Sequence, residues 1–137
     1  MSRDKEQRAW DSVSRSIDQS KLKALRIENL YSGEGMPDVL CINRKGTVVW
    51  IENKALEAWP ARASTAPLRT AFEAGQLAFG RAWRFWNGNS FVLLRVGKDQ
   101  YMLMNPELPL DSMTKSELIG AAVQLGKKEI IEYLETL

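Results

Sequence analysis

The sequence contains no histidine. That absence excludes His-ligated zinc, Ser-His-Asp triads and nucleases that use a His base. Catalysis, if there is any, has to run on carboxylates, Lys, Ser, Tyr or a metal held by oxygen atoms. There is one cysteine, Cys41, so no disulfide framework forms within the chain. Its apolar surroundings predict an inert buried thiol. No stretch of ~18 apolar residues is present, so no membrane span is expected. The N-terminus, MSRDKEQRAW, is charged from residue 3 and lacks the apolar core of a secretory signal. A cytoplasmic protein is expected. Internal repeats, low-complexity tracts and dividing linkers are also missing.

What is present fits one globular domain. The chain has 137 residues, 45% of them apolar, with five tryptophans and a net charge of +2. Charge is unevenly spread. Residues 61–100 hold Arg62, Arg69, Arg81, Arg84, Arg95 and Lys98 against Glu73 and Asp99, while residues 101–137 hold three lysines against six acids. A basic middle on a nearly neutral chain hints at an anionic partner.

The periodicity predicts a helix over about 3–19, with Trp10, Val13 and Ile17 on one face and Ser2 as its cap. Leu22 to Leu30 alternates, with Leu25 and Ile27 on one side and Arg26 and Glu28 on the other, as in a strand with one polar face. A Gly-containing loop, YSGEG, follows; its glycines allow positive φ or close backbone approach. Two β-branched apolar runs, 39–42 and 47–51, flank the turn NRKG and predict a hairpin. Alternation puts Val48, Trp50, Glu52 and Lys54 on one face. Residues 55–66 read as irregular. A helix is expected over 67–86, with Leu68, Phe72, Gln76, Phe79 and Trp83 on one stripe and Asn87-Gly88 as its stop. Two strands, 91–96 and 101–104, follow around a Gly97-Lys98-Asp99 turn. Thr114 and Glu117 form a capping box for a helix to about residue 125, and a last helix spans about 127–134. The order α-β-β-β-α-β-β-α-α implies a mixed α/β (α+β) domain, a central mixed sheet flanked by helices.

The hairpin carries the chemistry. Asp38 starts its first strand, and Glu52 and Lys54 end its second. Pairing around Arg44 and Lys45 brings Asp38 and Glu52 to the same edge of the sheet. Two close carboxylates repel unless a cation lies between them. Oxygen ligands of this kind suit Mg²⁺, with Mn²⁺ possible. The alternative for any lone Glu-x-Lys is an exposed surface pair; the added Gly-x-Pro-Asp and the apolar strands set this segment apart.

The residues Gly35-Met36-Pro37-Asp38 and Trp50-Ile51-Glu52-Asn53-Lys54 resemble the core of the PD-(D/E)XK, or restriction-endonuclease-like, nuclease superfamily. The nearest branches are Holliday junction resolvases of archaeal type and VRR-NUC-like nucleases of bacteriophages. The likeness covers about residues 4–96. It implies a single nuclease domain over 1–137, with a core of about 4–104 and a C-terminal helical extension of about 105–137 that matches nothing in the family. It implies that Asp38 and Glu52 ligate the metal, with the backbone carbonyl of Asn53 completing the site. Lys54 would orient the attacking water. Glu6 is the best match for an additional acid on the first helix, with Glu28 its rival, and Gln76 matches a helix glutamine that holds the site. Resolvases often carry a serine in the loop before the Asp; Ser32 is the available match, with Gly33, Glu34 and Gly35 intervening. The resemblance further implies a Mg²⁺-dependent endonuclease acting on branched DNA, most simply four-way junctions, as a homodimer. Phage origin would place it in the host cytoplasm. The alternatives are a VRR-NUC-like nuclease of flaps, nicks or linear DNA, or a non-catalytic DNA-binding module. Arg26, Ser32, Arg62, Arg69, Arg81 and Arg84 are the candidate DNA contacts, with Arg26 and Arg62 flanking the motif. Trp83 is assigned to the core. Trp86 is left open between the core and a dimer interface.

Overall fold

The computed structural model describes residues 3–27 and 35–137. Ser2, Glu28 and Ser32 therefore lie outside the described residues. The elements in chain order are α1 (Arg3–Arg15), β1 (Leu22–Arg26), β2 (Val39–Asn43), β3 (Val48–Leu56), α2 (Gln76–Phe85), β4 (Asn89–Val96), β5 (Gln100–Met104), a 3-10 turn (Leu110–Ser112), α3 (Lys115–Ala121), β6 (Gln124–Leu125) and α4 (Lys127–Thr136).

The six strands form one mixed sheet in the order β1-β2-β3-β4-β5-β6. All neighbours are antiparallel except β3 and β4, which are parallel and joined through α2. A parallel pair needs a crossover, and α2 supplies it. Helices cover both faces. Trp10 and Val13 of α1 and Ile130 and Leu134 of α4 pack on Val39, Cys41, Ile51 and Leu93. On the other face Leu68, Ala71 and Leu118 pack on Val92, Leu94 and Met104. This is the α+β architecture expected from the element order. Cys41 is fully buried, and burial pushes its thiol up to about 12. No described helix is long and apolar enough to cross a membrane.

Several boundaries differ from expectation. The expected 67–86 helix is only half helix. Residues 67–75 form turns instead, and α2 starts at Gln76 after Gly75, whose φ of 85° breaks the helical path. Leu68 and Ala71 still reach the core from those turns, which is why the apolar spacing reads as helical. The Asn87 stop is present: its φ is 63°, and the Asn87 and Gly88 N–H groups donate to the carbonyls of Arg84 and Trp83. The Thr114–Glu117 capping box is formed in both directions, but α3 ends at Ala121 and a short strand, β6, follows it. In β1 the alternation holds with its faces exchanged. Leu22 and Ala24 face the core, while Leu25 is 50% exposed. β3 runs five residues beyond Ile51, because Glu52, Asn53 and Lys54 continue a strand that is buried on both faces.

Candidate active site

The hairpin register builds the centre of the site. Val39 lies opposite Ile51, and the Asp38 N–H donates to the Ile51 carbonyl at 3.1 Å. The next position outward therefore sets Asp38 across from Glu52. β2 begins at Val39, while β3 continues to Leu56. Past this point β3 has an unpaired edge on the β2 side. Asp38 fills part of it, with its Oδ2 accepting from the Asn53 N–H at 2.9 Å. In a strand the N–H and C=O of one residue point to the same edge, so the Asn53 carbonyl faces that vacated edge beside Asp38. The Asn53 side chain lies on the other face of β3 from Glu52 and Lys54. It is buried, and its Oδ1 has no partner among the described residues.

Lys54 is the electrostatic hub. It is 2% exposed, and its Nζ has three donors. They reach Gln76 Oε1 at 2.8 Å, Glu52 Oε2 at 3.2 Å and Glu6 Oε1 at 3.3 Å. The Phe72 ring lies 5.3 Å from the same nitrogen. Gln76 Oε1 also accepts from the Glu73 N–H at 2.9 Å, which fixes the amide at the start of α2. A buried ammonium is tolerated because every proton has an acceptor.

The carboxylates are less well matched. Glu52 is 4% exposed, and its Oε1 has no hydrogen-bond partner among the described residues. Burial pushes its carboxyl up to about 8; Asp38 and Glu6 add to that, and Lys54 opposes it. Glu6 is also held above the ordinary glutamate range, mainly by burial, with Lys54 acting against the rise. With Asp38, Glu6 and Glu52 gathered around one ammonium, the cluster favours taking up a proton or a further cation. Among the described residues no group of three or more His, Cys, Asp or Glu is arranged to hold a metal. Lys54 is the cation between Glu6 and Glu52. The atoms that could take a further cation are the oxygens of Asp38 and Glu52 and the carbonyl of Asn53. A cavity of about 30 Å³ adjoins Asp38 and Asn53, lined also by Glu6, Gln7, Trp10 and Arg26 among others. It is large enough for water.

The structure thus brings Glu6, Asp38, Glu52, Lys54 and Gln76 together, and Arg26 lines the adjoining cavity. The other expected arginines stand apart from this cluster. Arg62 and Arg69 are exposed between β3 and α2. Arg81 donates to the carbonyls of Pro106 and Leu108, and Arg84 pairs with Glu107 at 2.8 Å. Trp83 is 39% exposed while stacking on Phe79 and meeting Trp50 edge-on, so it is only partly core.

Sequence reasoning missed one contact that holds the site. A Cβ on Gly35 would lie 2.2 Å from the Gly75 carbonyl oxygen and 2.8 Å from the Gln76 nitrogen. The loop that delivers Asp38 is thus docked, backbone to backbone, on the start of α2. Gly35 in a Gly-containing loop was a usable signal; its partner Gly75 sat inside an apolar helical stripe and was masked by it.

No protein-family model matches the chain, and no curated protein matches it in sequence. A solved structure does match it in fold. Hjc of Archaeoglobus fulgidus, a Holliday junction resolvase from an archaeal hyperthermophile, aligns with a TM-score of 0.62. The match covers 93% of this chain and 98% of that one, at 12% sequence identity. At that identity the likeness is one of fold. It extends past Met104, because the residues up to there could not supply 93% of the chain. The VRR-NUC and phage relationship stays a resemblance of motif.

Proposed function

We propose that this chain is a metal-dependent endodeoxyribonuclease of the PD-(D/E)XK type, a single nuclease domain that cuts branched DNA. Four-way junctions are its most favoured substrate. The observation that carries the reading is the Asp38–Glu52–Lys54 cluster, its Glu52 and Lys54 buried and Lys54 tied to Gln76, on the fold of a Holliday junction resolvase.

The donor set fits a hard divalent cation. Every candidate ligand is an oxygen, Glu52 Oε1 is buried without a partner, and the Asn53 carbonyl faces the same edge as Asp38. Asp38, Glu52 and the Asn53 carbonyl would hold Mg²⁺ or Mn²⁺, with Glu6 contributing through water. Bound there, the ion would supply Lewis acidity toward a phosphodiester and acidify a water molecule. The chain's own residues do the rest. Lys54, fixed by three acceptors, places a preorganised positive charge where the phosphorane charge develops. Gln76 and Glu6 keep its Nζ from turning away. Phe85 and Trp86, 77% and 80% exposed at the end of α2, are offered as part of a homodimer surface.

The test is cleavage of four-way junction, flap and linear duplex substrates, in Mg²⁺ and in EDTA, beside Lys54→Ala. Paired Mg²⁺-dependent nicks on the junction, lost in the variant, are expected. Equal cutting of flaps or linear duplex would replace junction resolution with a general structure-specific nuclease. No cleavage of any substrate would leave a DNA-binding module.

A further inference from the structure

A second groove, of about 380 Å³, opens on the other flank of α1. Successive helical residues are about 100° apart. Glu6, Gln7 and Trp10 therefore face the carboxylate cavity, while Lys5 and Arg8 point roughly 180° away. Together with Arg95 and Lys98 they line the second groove. It is also lined by Ala55 and Leu56, the end of the strand that carries Glu52 and Lys54, and by Glu57 just beyond it. From Glu52 to Leu56 the strand advances about 13 Å, at roughly 3.3 Å per residue.

Four cations meet here with one acid. Glu57 is engaged by Lys5, which holds its carboxyl below the ordinary range. The Arg8 guanidinium and the Lys98 ammonium form no hydrogen bond or ion pair among the described residues. Arg95 is preorganised. Its guanidinium lies over the Tyr101 ring at 5.6 Å, and its Nε and Nη2 donate to the Lys98 carbonyl at 3.3 and 3.0 Å. That contact anchors the Gly97-Lys98-Asp99 turn beside the groove. Four like charges gathered around a single counter-charge, Glu57, raise the local potential and favour an anion.

Resting on the nuclease reading above, we propose that this groove holds backbone phosphates of a nucleic-acid strand a few nucleotides from the scissile position. The cations come from three elements, α1, β4 and the turn after it, rather than converging on one point. Such a row suits an extended polyanion better than a single small anion. No exposed aromatic ring lines the groove, so bases are not stacked there and the contact is independent of sequence. One phosphate per 3.4 Å of duplex axis along each strand puts the ~13 Å offset at about four nucleotides.

The experiment measures binding of a labelled four-way junction in EDTA, by anisotropy, from 50 to 200 mM salt. The double variant Arg8→Gln/Lys98→Gln is compared with wild type and with Lys21→Gln/Lys128→Gln, which removes the same charge elsewhere on the surface. Each lost phosphate contact lowers the salt slope by about 0.9, so the groove variant should lose about 1.8, or roughly 60-fold in affinity at 0.1 M salt. Unchanged melting temperature confirms that it folds. A slope equal to wild type, or to the charge-matched control, overturns the groove while leaving the cleavage result standing. A reduced slope in a protein that cuts nothing keeps the groove and removes the nuclease reading. No binding by wild type removes both.

Discussion

Gly35→Ala and Gly46→Ala form a matched pair of perturbations. Both glycines have φ of 82°. An added methyl at Gly46 meets nothing within 4 Å; at Gly35 it meets the Gly75 carbonyl at 2.2 Å. The shared cost is the left-handed backbone, about 1 kcal/mol for a residue with a Cβ. Only Gly35→Ala adds an overpacking cost, about 2 kcal/mol, because the obstacle is backbone and cannot rotate aside. For 137 residues the entropy of unfolding converts 1 kcal/mol to about 3.5 °C. Gly46→Ala should therefore melt about 4 °C below wild type and Gly35→Ala about 10 °C below.

The functional consequence separates them further. Relief of the clash must move the Asp38 loop away from Gln76, and Gln76 holds Lys54. A displacement near 1 Å at reacting groups costs about 100-fold in rate. Cleavage assayed well below both melting temperatures should fall by that order in Gly35→Ala and stay near wild type in Gly46→Ala. Equal melting shifts, or full cleavage by Gly35→Ala, would refute the docking of the two backbones as the device that aligns the site.

Two other predictions concern charge and assembly. Glu52 carries a folded-state carboxyl at about 8 against an ordinary 4.5, so between those pH values the folded chain binds more protons than the unfolded one. The contribution of Glu52 to stability is then fully present below pH 4.5 and is lost as pH rises through 8, on the order of 5 kcal/mol in all, with Glu6 adding the same sign. Urea unfolding in EDTA from pH 5 to 9 should show this fall and its flattening in Glu52→Gln; parallel profiles for the two proteins would contradict it. For assembly, Phe85→Ser/Trp86→Ser should turn a sedimenting dimer into a monomer, and a monomeric wild type at micromolar concentration would remove these rings from any interface.

What the sequence revealed and what it hid divide along the range of the interactions. The hairpin was readable because turn residues and two-residue alternation are local rules, and they set Asp38 across from Glu52. The Thr114–Glu117 box and the Asn87 stop are local in the same way. Four features needed information from distant segments. β3 outran its apolar stretch because Glu52, Asn53 and Lys54 are buried in a strand that their polarity argues against. The start of α2 was set by Gly75 against Gly35, not by the apolar stripe around it. β6 is two residues long and exists only because β5 offers it an edge. The core side of β1 was decided by Leu22, since both of its faces carry apolar residues.

The site shows the same division within a few ångströms. Asp38, Glu52 and Lys54 come from one hairpin, so a short motif could announce them. Their supports do not. Glu6 is 48 residues from Lys54 in sequence, and Gln76 is 22. Neither residue has a local reason to be polar: one lies on the inward side of a helix, the other on an apolar stripe. Each breaks the pattern of its own element, and each does so at Lys54 Nζ. Removing either acceptor would leave a buried ammonium short of a partner, while Glu52 Oε1 is already an acceptor without a donor. Apolar side chains in place of Glu6, Glu52, Lys54 and Gln76 together would pack as well and avoid desolvating three charges. The chain keeps the costlier arrangement where it fixes a lysine beside two carboxylates, and that choice makes sense for a site that meets a further charge from outside.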